Sequence, residues 1–311
     1  MIKRLLCVLF VLSLSACGSG SEPAKEESKE AEATPAKPAA AELWTVAEGI
    51  QTPESVYVDP ATGDVYASNV VGTPDGKDGM GHISKIGSDG KTVNAMWVSG
   101  LNAPKGLRSH QGTLYVTDID EIVAIDMASG KVKSKVKVAG AQFLNDTAVG
   151  PDGTVYVTDM AGNKIIALKD GKTSVFAQGA DLEFPNGLLV EGDSLVVGGW
   201  GAPNSPTDFT TKVPGRLFKL DLKTKAKTLI TPEPTANIDG LESDGKGGYI
   251  ASDFIAGKIL HISADGKVET LTTYSQGTAD IAFTASGNRL IIPHMMENKI
   301  VAYDISGALG Q

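Results

Sequence analysis

From about residue 43 onward the chain is built of short apolar runs separated by polar turns. The runs are rich in Val, Ile, Thr and Leu. Pairs such as Asp89-Gly90, Ser129-Gly130, Asp152-Gly153, Asp170-Gly171 and Asp265-Gly266 end them, as tight turns between strands require. Amphipathic helical periodicity of any length is absent, so the pattern predicts an all-β fold. One unit recurs six times: a short strand with a polar residue in fixed register, then a second strand. It reads Pro53-Glu54-Ser55-Val56, Pro104-Lys105-Gly106-Leu107, Leu144-Asn145-Asp146-Thr147, Pro185-Asn186-Gly187-Leu188, Ile238-Asp239-Gly240-Leu241 and Ala279-Asp280-Ile281-Ala282. A Tyr-Val-Thr-Asp-like strand follows in most copies, as at 114–118 and 155–159, and then a third strand, as at 121–126 and 164–168. The second residues fall at 54, 105, 145, 186, 239 and 280. A period near forty made of short strands marks a β-propeller with one four-stranded blade per repeat.

Six units predict six blades. The fourth strand of a blade precedes the next motif, as at 95–100 before Pro104 and 174–179 before Pro185. A similar stretch, 43–49, precedes the first motif, and the last unit ends after residues 300–304 with no room for a fourth strand of its own. The N-terminal strand is therefore expected to complete the last blade and close the ring, removing an open sheet edge. A propeller domain over 42–311 follows. Its spacing lengthens at two insertions, 71–81 in blade one and 198–214 in blade four, which are expected to rim the binding mouth.

Ahead of that domain, Met1-Ile2-Lys3-Arg4 and an apolar run to Leu14 form the basic and hydrophobic regions of a signal peptide over 1–16. Leu14-Ser15-Ala16-Cys17 matches the bacterial lipobox, so Cys17 is the expected lipidation site. Gly18, in place of an Asp at that position, favours the periplasmic face of the outer membrane in a Gram-negative cell envelope. Residues 17–41 then hold the lipidated Cys and a Ser, Glu, Pro, Ala and Lys tether with no large apolar residue, expected to be disordered. The two cysteines of the chain, Cys7 and Cys17, both precede the domain, which must be held by its core alone. A net charge of −9 leaves no basic stripe for phosphates and argues against nucleic acid. A monomer tethered to the membrane through Cys17, acting on a small molecule, is expected.

The six second residues are polar in every copy, where a propeller places its ligand. Glu54, Asn145, Asn186 and Asp239 offer two carboxylates and two amide carbonyls around one axis. That mix suits Ca²⁺, which takes six to eight oxygens at about 2.3–2.6 Å; another divalent ion would also fit, and the absence of a His and Cys cluster disfavours zinc and copper. Alternatively, these residues merely line a wet channel. Lys105 could bind an anionic substrate or stabilise an oxyanion, or it could pair with Asp280 or Glu54 and neutralise the channel. Of four histidines, His294 ends the second strand of blade six as Asp118, Asp159 and Asp253 end theirs. It is a candidate general base. Trp200, in the blade-four insertion, is a candidate pocket wall.

On Glu54, Asn145-Asp146, Pro185-Asn186-Gly187-Leu188 and Asp239-Gly240-Leu241, the chain resembles the senescence-marker-protein/gluconolactonase/luciferin-regenerating-enzyme family of six-bladed propellers. Paraoxonases and fluorophosphatases are its more distant relatives. The resemblance implies that the Glu, Asn and Asp hold a catalytic divalent ion, usually calcium, and that Asp239 acts as base or nucleophile. Two departures matter. Blade one reads Pro-Glu-Ser-Val where the lactonases have Glu-Gly-Pro, and Phe143 stands where sugar lactonases place an Arg for substrate hydroxyls. An apolar substrate wall replaces a polyol one. The expected activity is calcium-dependent hydrolysis of a lactone, ester or related small molecule, with Asp239 or His294 activating water and Lys105, Phe143, Trp200 and Asp280 around the substrate. The competing expectation is a non-catalytic lipoprotein propeller that binds a ligand or serves assembly.

Overall fold

Six antiparallel four-stranded sheets follow one another along the chain in the computed structural model, which describes residues 40–205 and 208–310. The expected signal peptide, the lipidated Cys17 and the tether up to residue 39 lie outside the described residues. The innermost strands of the six blades are Pro53–Val58, Pro104–His110, Leu144–Val149, Pro185–Glu191, Ile238–Ser243 and Ala282–Thr284. Each touches the inner strands of its neighbours, and the first meets the last. There Val56 N–H donates to Asp280 O at 3.2 Å, and Asp280 N–H donates to Glu54 O at 2.9 Å. The arrangement is a six-bladed β-propeller. The outermost strand of blade six is Ala41–Val46, running antiparallel to Lys299–Asp304 with Ala41 opposite Asp304.

Alternation along the strands sends apolar side chains to both faces of each blade, so every blade packs on two neighbours. The core is consequently divided among six clusters, one between each adjacent pair, with a small seventh formed by Val70, Ala103 and Ile119. Tyr66, Ile83 and Leu101 of blade one meet Leu107, Leu114 and Val123 of blade two. Between blades six and one, Val56, Val65 and Ile86 meet Ile291, Ile300 and Ala302, with Val46 and Trp44 of the N-terminal strand packed on the same cluster. Burial of each Leu or Ile contributes roughly 1.5–3 kcal/mol. The described residues contain no cysteine, so these interfaces carry the ring.

The repeated motif has a geometric cause. Strand pairing slips between Pro53 and Ser55, Pro104 and Leu107, Leu144 and Thr147, Pro185 and Leu188, and Ile238 and Leu241. A bulge therefore sits at the motif in each of the first five blades, and bulges re-aim side chains. The third residue is Gly in blades two, four and five because the next blade lies against it. A Cβ on Gly106 would come within 2.6 Å of Asp146 Cα, and one on Gly240 within 2.3 Å of Ile281 N. Hydroxyls of the second strand lace the bulge to the next blade. Thr158 Oγ1 accepts from Asp146 N–H at 2.9 Å and donates to Asn186 O at 3.1 Å. Ser252 Oγ accepts from Gly240 N–H at 2.7 Å and donates to Ala279 O at 2.8 Å.

Two outcomes test this frame. Thr158→Val leaves a buried N–H and a buried carbonyl without partners and is expected to cost about 2 kcal/mol, with Thr158→Ser costing clearly less. Chemical denaturation of both variants checks it. Truncation to residue 50 removes the strand paired with Lys299–Asp304 and should destabilise the whole domain, whereas truncation to residue 40 should not. Equal denaturation midpoints for the two truncations would show that the N-terminal strand does not hold the ring.

Candidate active site

The bulges turn the second motif residues of blades one to five toward one another at one end of the channel. Glu54, Lys105, Asn145, Asn186 and Asp239 form the floor of a cavity of about 620 Å³. All five are buried. Asn186 donates through Nδ2 to Asp239 Oδ1 at 2.7 Å, which fixes both side chains. Asn186 Oδ1 and Glu54 Oε2 are buried with no hydrogen-bond partner. Burial, and then the Asp239 carboxylate, push the Glu54 carboxyl well above its ordinary range. Burial, and then Asp280, do the same to Asp239. Two acids that repel each other beside orphaned acceptor oxygens form a floor deficient in positive charge.

Lys105 pairs with neither Glu54 nor Asp280, contrary to one of the two expectations for it. Its ammonium donates to Pro74 O and Ala103 O, both at 2.8 Å, and lies 4.6 Å from the centre of the Phe143 ring. Pro74 belongs to the blade-one insertion, so the lysine also pins that loop to the cavity. Burial lowers the amine to about 8, against the pull of Glu54.

The walls are apolar. Asp159 Oδ1 accepts from Gln142 N–H and Phe143 N–H at 3.0 and 2.8 Å, which sets the loop that presents Phe143. Phe143 meets Phe209 of the inserted hairpin, ring centres 5.8 Å apart. Trp200 donates through Nε1 to Phe209 O at 2.7 Å and lies 5.7 Å from Phe254. Met160, Met295 and Met296 also line the cavity, beside the polar Thr52, Thr210 and Gln276. Phe209, Phe254 and the methionines escaped sequence reasoning, although a signal existed. The residue after the last one of each second strand is Val70, Ile119, Met160, Trp200, Phe254 and Met295, apolar in all six blades, and four of these six line the cavity.

Two sequence-predicted residues lie elsewhere. Asp280 does not line the cavity; its Oδ2 accepts from Ser55 Oγ at 2.5 Å, because the parallel pairing of Ser55 with Asp280 draws it into the channel interior. Burial raises it to about 6, with Arg108 opposing. His294 holds the strand-end register expected of it but is absent from the cavity lining. Its ring packs edge-on against Tyr274 at 5.1 Å, and Nε2 lies 3.3 Å from the Tyr303 hydroxyl. Burial lowers it to about 4, so it is neutral at pH 7, and it stands behind the cavity lining next to Met295. A pair that the sequence did not announce spans the channel interior: Arg108 Nη2 and Glu242 Oε1, from opposite blades two and five, lie 2.9 Å apart. Glu242 is raised to about 7 by burial, against the pull of Arg108.

The donor set on the floor fits a divalent ion of the calcium type. Glu54 and Asp239 can supply charge, Asn145 and Asn186 amide oxygens, and Glu54 Oε2 and Asn186 Oδ1 are buried acceptors without a hydrogen-bond partner. Among the described residues no cluster of three or more His, Cys, Asp or Glu is placed to hold a metal.

Six four-stranded blades define a six-bladed propeller, with a candidate site on the acid and amide floor of its central cavity. The chain belongs to the SMP-30/gluconolactonase/LRE-like family, whose model matches residues 52–295. That makes it a propeller of lactonase and hydrolase type. No curated protein sequence matches it. Solved structures of similar fold include a gluconolactonase from Xanthomonas campestris, 18% identical with a TM-score of 0.58 over 85% of this chain and 86% of that one. Virginiamycin B lyase from Staphylococcus aureus is 16% identical, TM-score 0.55, over 84% and 97%. A chain of a nidogen/laminin complex is 13% identical, TM-score 0.59, over 74% and 88%. At such identities the likeness is one of fold.

The buried imidazole has a measurable signature. The unfolded chain takes up the His294 proton near pH 6.5, the folded chain only near 4. Its contribution is therefore complete above pH 6.5 and is lost as the pH falls toward 4. Between pH 7.5 and 5 the wild type should lose about 2 kcal/mol more stability than His294→Phe, read from denaturant titrations at the two pH values.

Proposed function

We propose that this protein is a calcium-dependent hydrolase of an apolar lactone or ester, lipid-anchored through Cys17 in the cell envelope and working as a monomer. The observation that carries the reading is the floor of Glu54, Asn145, Asn186 and Asp239, with two orphaned acceptor oxygens beneath an aromatic cavity. Family membership supports it. The lipobox at Cys17 supports the anchor.

Glu54, Asn145, Asn186 and Asp239 would hold the ion. When bound, it supplies Lewis-acid polarisation of the scissile carbonyl. Asp239 is the general base: its carboxylate, oriented by Asn186 Nδ2, takes the proton of the attacking water as the oxygen bonds to the carbonyl carbon. The same proton then passes to the departing alkoxide as the C–O bond breaks. Phe143, Trp200, Phe209 and Phe254 exclude bulk water and bind the apolar body of the substrate. Among the described residues no guanidinium lines the cavity to receive sugar hydroxyls, which disfavours a polyol lactone.

Calcium should raise the melting temperature of the chelator-treated protein by mass action, and Asp239→Ala should abolish that shift. Asp239→Asn should lower hydrolysis of aryl esters roughly 10²–10⁴-fold, and apolar lactones or aryl esters should outperform gluconolactone. A panel of lactones, aryl esters and phosphotriesters assayed in calcium decides. Rates equal to buffer across the panel, with a calcium-induced melting shift present, would assign a ligand-binding propeller without hydrolysis.

A further inference from the structure

The hydrolase reading gives Glu54 and Asp239 a task but leaves Lys105 without one. These three are the charged residues on the cavity lining. Lys105 is 1% exposed, and an ammonium so deep is costly unless its surroundings compensate. It carries three donors. Two go to Pro74 O and Ala103 O, and the Phe143 ring takes one face of the ammonium. Among the described residues its hydrogen-bond partners are those carbonyls, not a carboxylate. The third donor has no hydrogen-bond partner among the described residues.

Charge counting points the same way. In their ionised forms Glu54 and Asp239 would bring two negative charges to the floor and Lys105 one positive. With a divalent ion seated on the acid and amide set, the cavity carries one net positive charge behind aromatic walls that exclude water. A low-dielectric pocket with an uncompensated charge selects a ligand of opposite sign.

Resting on the hydrolase reading above, we propose that Lys105 and Phe143 form an anion subsite, so that the substrate is an ester or lactone carrying a carboxylate or similar anionic group on an apolar body. The anion accepts the free Lys105 N–H. The apolar body lies along Phe143, Phe209 and Trp200, and the scissile carbonyl faces Asp239. The subsite thus takes the place of a hydroxyl-reading guanidinium.

The test uses phenylacetate and its neutral analogue phenylacetamide, titrated calorimetrically into the full-length protein in calcium. Phenylacetate should bind at least tenfold more tightly to the wild type. In Lys105→Met the ratio should fall to within twofold, while the calcium-induced melting shift persists and shows the variant is folded. If Lys105→Met does not fold, Lys105→Gln, which can keep a donor for Ala103 O, replaces it with the same expected loss. A wild-type ratio near one, or a ratio that survives loss of the ammonium, overturns the proposal. A parallel assay compares 4-carboxyphenyl acetate with phenyl acetate. Equal hydrolysis of both overturns the subsite and leaves the hydrolase intact. Hydrolysis of neither, with the tenfold binding ratio retained, overturns the hydrolase and leaves the subsite.

Discussion

Six strands can converge on one axis only if their backbones come nearly into contact, and everything else in this molecule depends on that contact. At Gly106, Gly187 and Gly240 the next blade lies so close that no Cβ can be admitted. Where the third motif residue is not Gly, its side chain becomes part of the joint: Ser55 bonds Asp280, and Asp146 Oδ2 accepts from Leu188 N–H at 2.6 Å. The close approach forces a bulge, and the bulge sends the preceding side chain into the channel. A packing requirement thereby creates a ring of positions whose chemistry is free to vary.

The channel filled by those positions is rich in acid. Glu54, Asp146, Asp239, Glu242 and Asp280 are drawn into it from blades one, three, five and six, and each is raised by burial before any other cause. The opposing cations, Lys105 and Arg108, both come from the inner strand of blade two. Arg108 serves the interior, bridging to Glu242 across the ring. Lys105 serves the cavity but stops at backbone carbonyls. Lys105 opposes the Glu54 charge only through space, and the two floor carboxyls stay well above their ordinary range. Glu54 Oε2 and Asn186 Oδ1 are buried there without a hydrogen-bond partner.

Frame and specificity come from different parts of the chain. Lyase, gluconolactonase and nidogen-complex propellers share this fold at under a fifth identity, because interblade packing asks only for apolar alternation and a tight motif. What enters the cavity is decided by the residues after the second strands and by the inserted hairpin, which here bring Met160, Trp200, Phe209, Phe254 and Met295 together.

The sequence by itself determined the six blades, the inner-strand register and the convergence of Glu54, Lys105, Asn145, Asn186 and Asp239. Each follows from a repeat, and a repeat is a local property written six times. Only the tertiary structure decided what those residues do to one another. The motif register placed Asp280 in the same ring as Asp239, but the parallel contact between blades six and one takes it into the interior beside Ser55. Strand position made His294 equivalent to Asp118 and Asp159, yet Tyr274 and Tyr303 hold its ring away from the cavity. The Arg108–Glu242 bridge joins residues 134 positions apart on opposite blades, and no local pattern encodes a meeting across an axis. Lys105 could be assigned to the channel from its register, but its partners, a loop carbonyl and an aromatic face, depend on how an insertion folds back over the mouth.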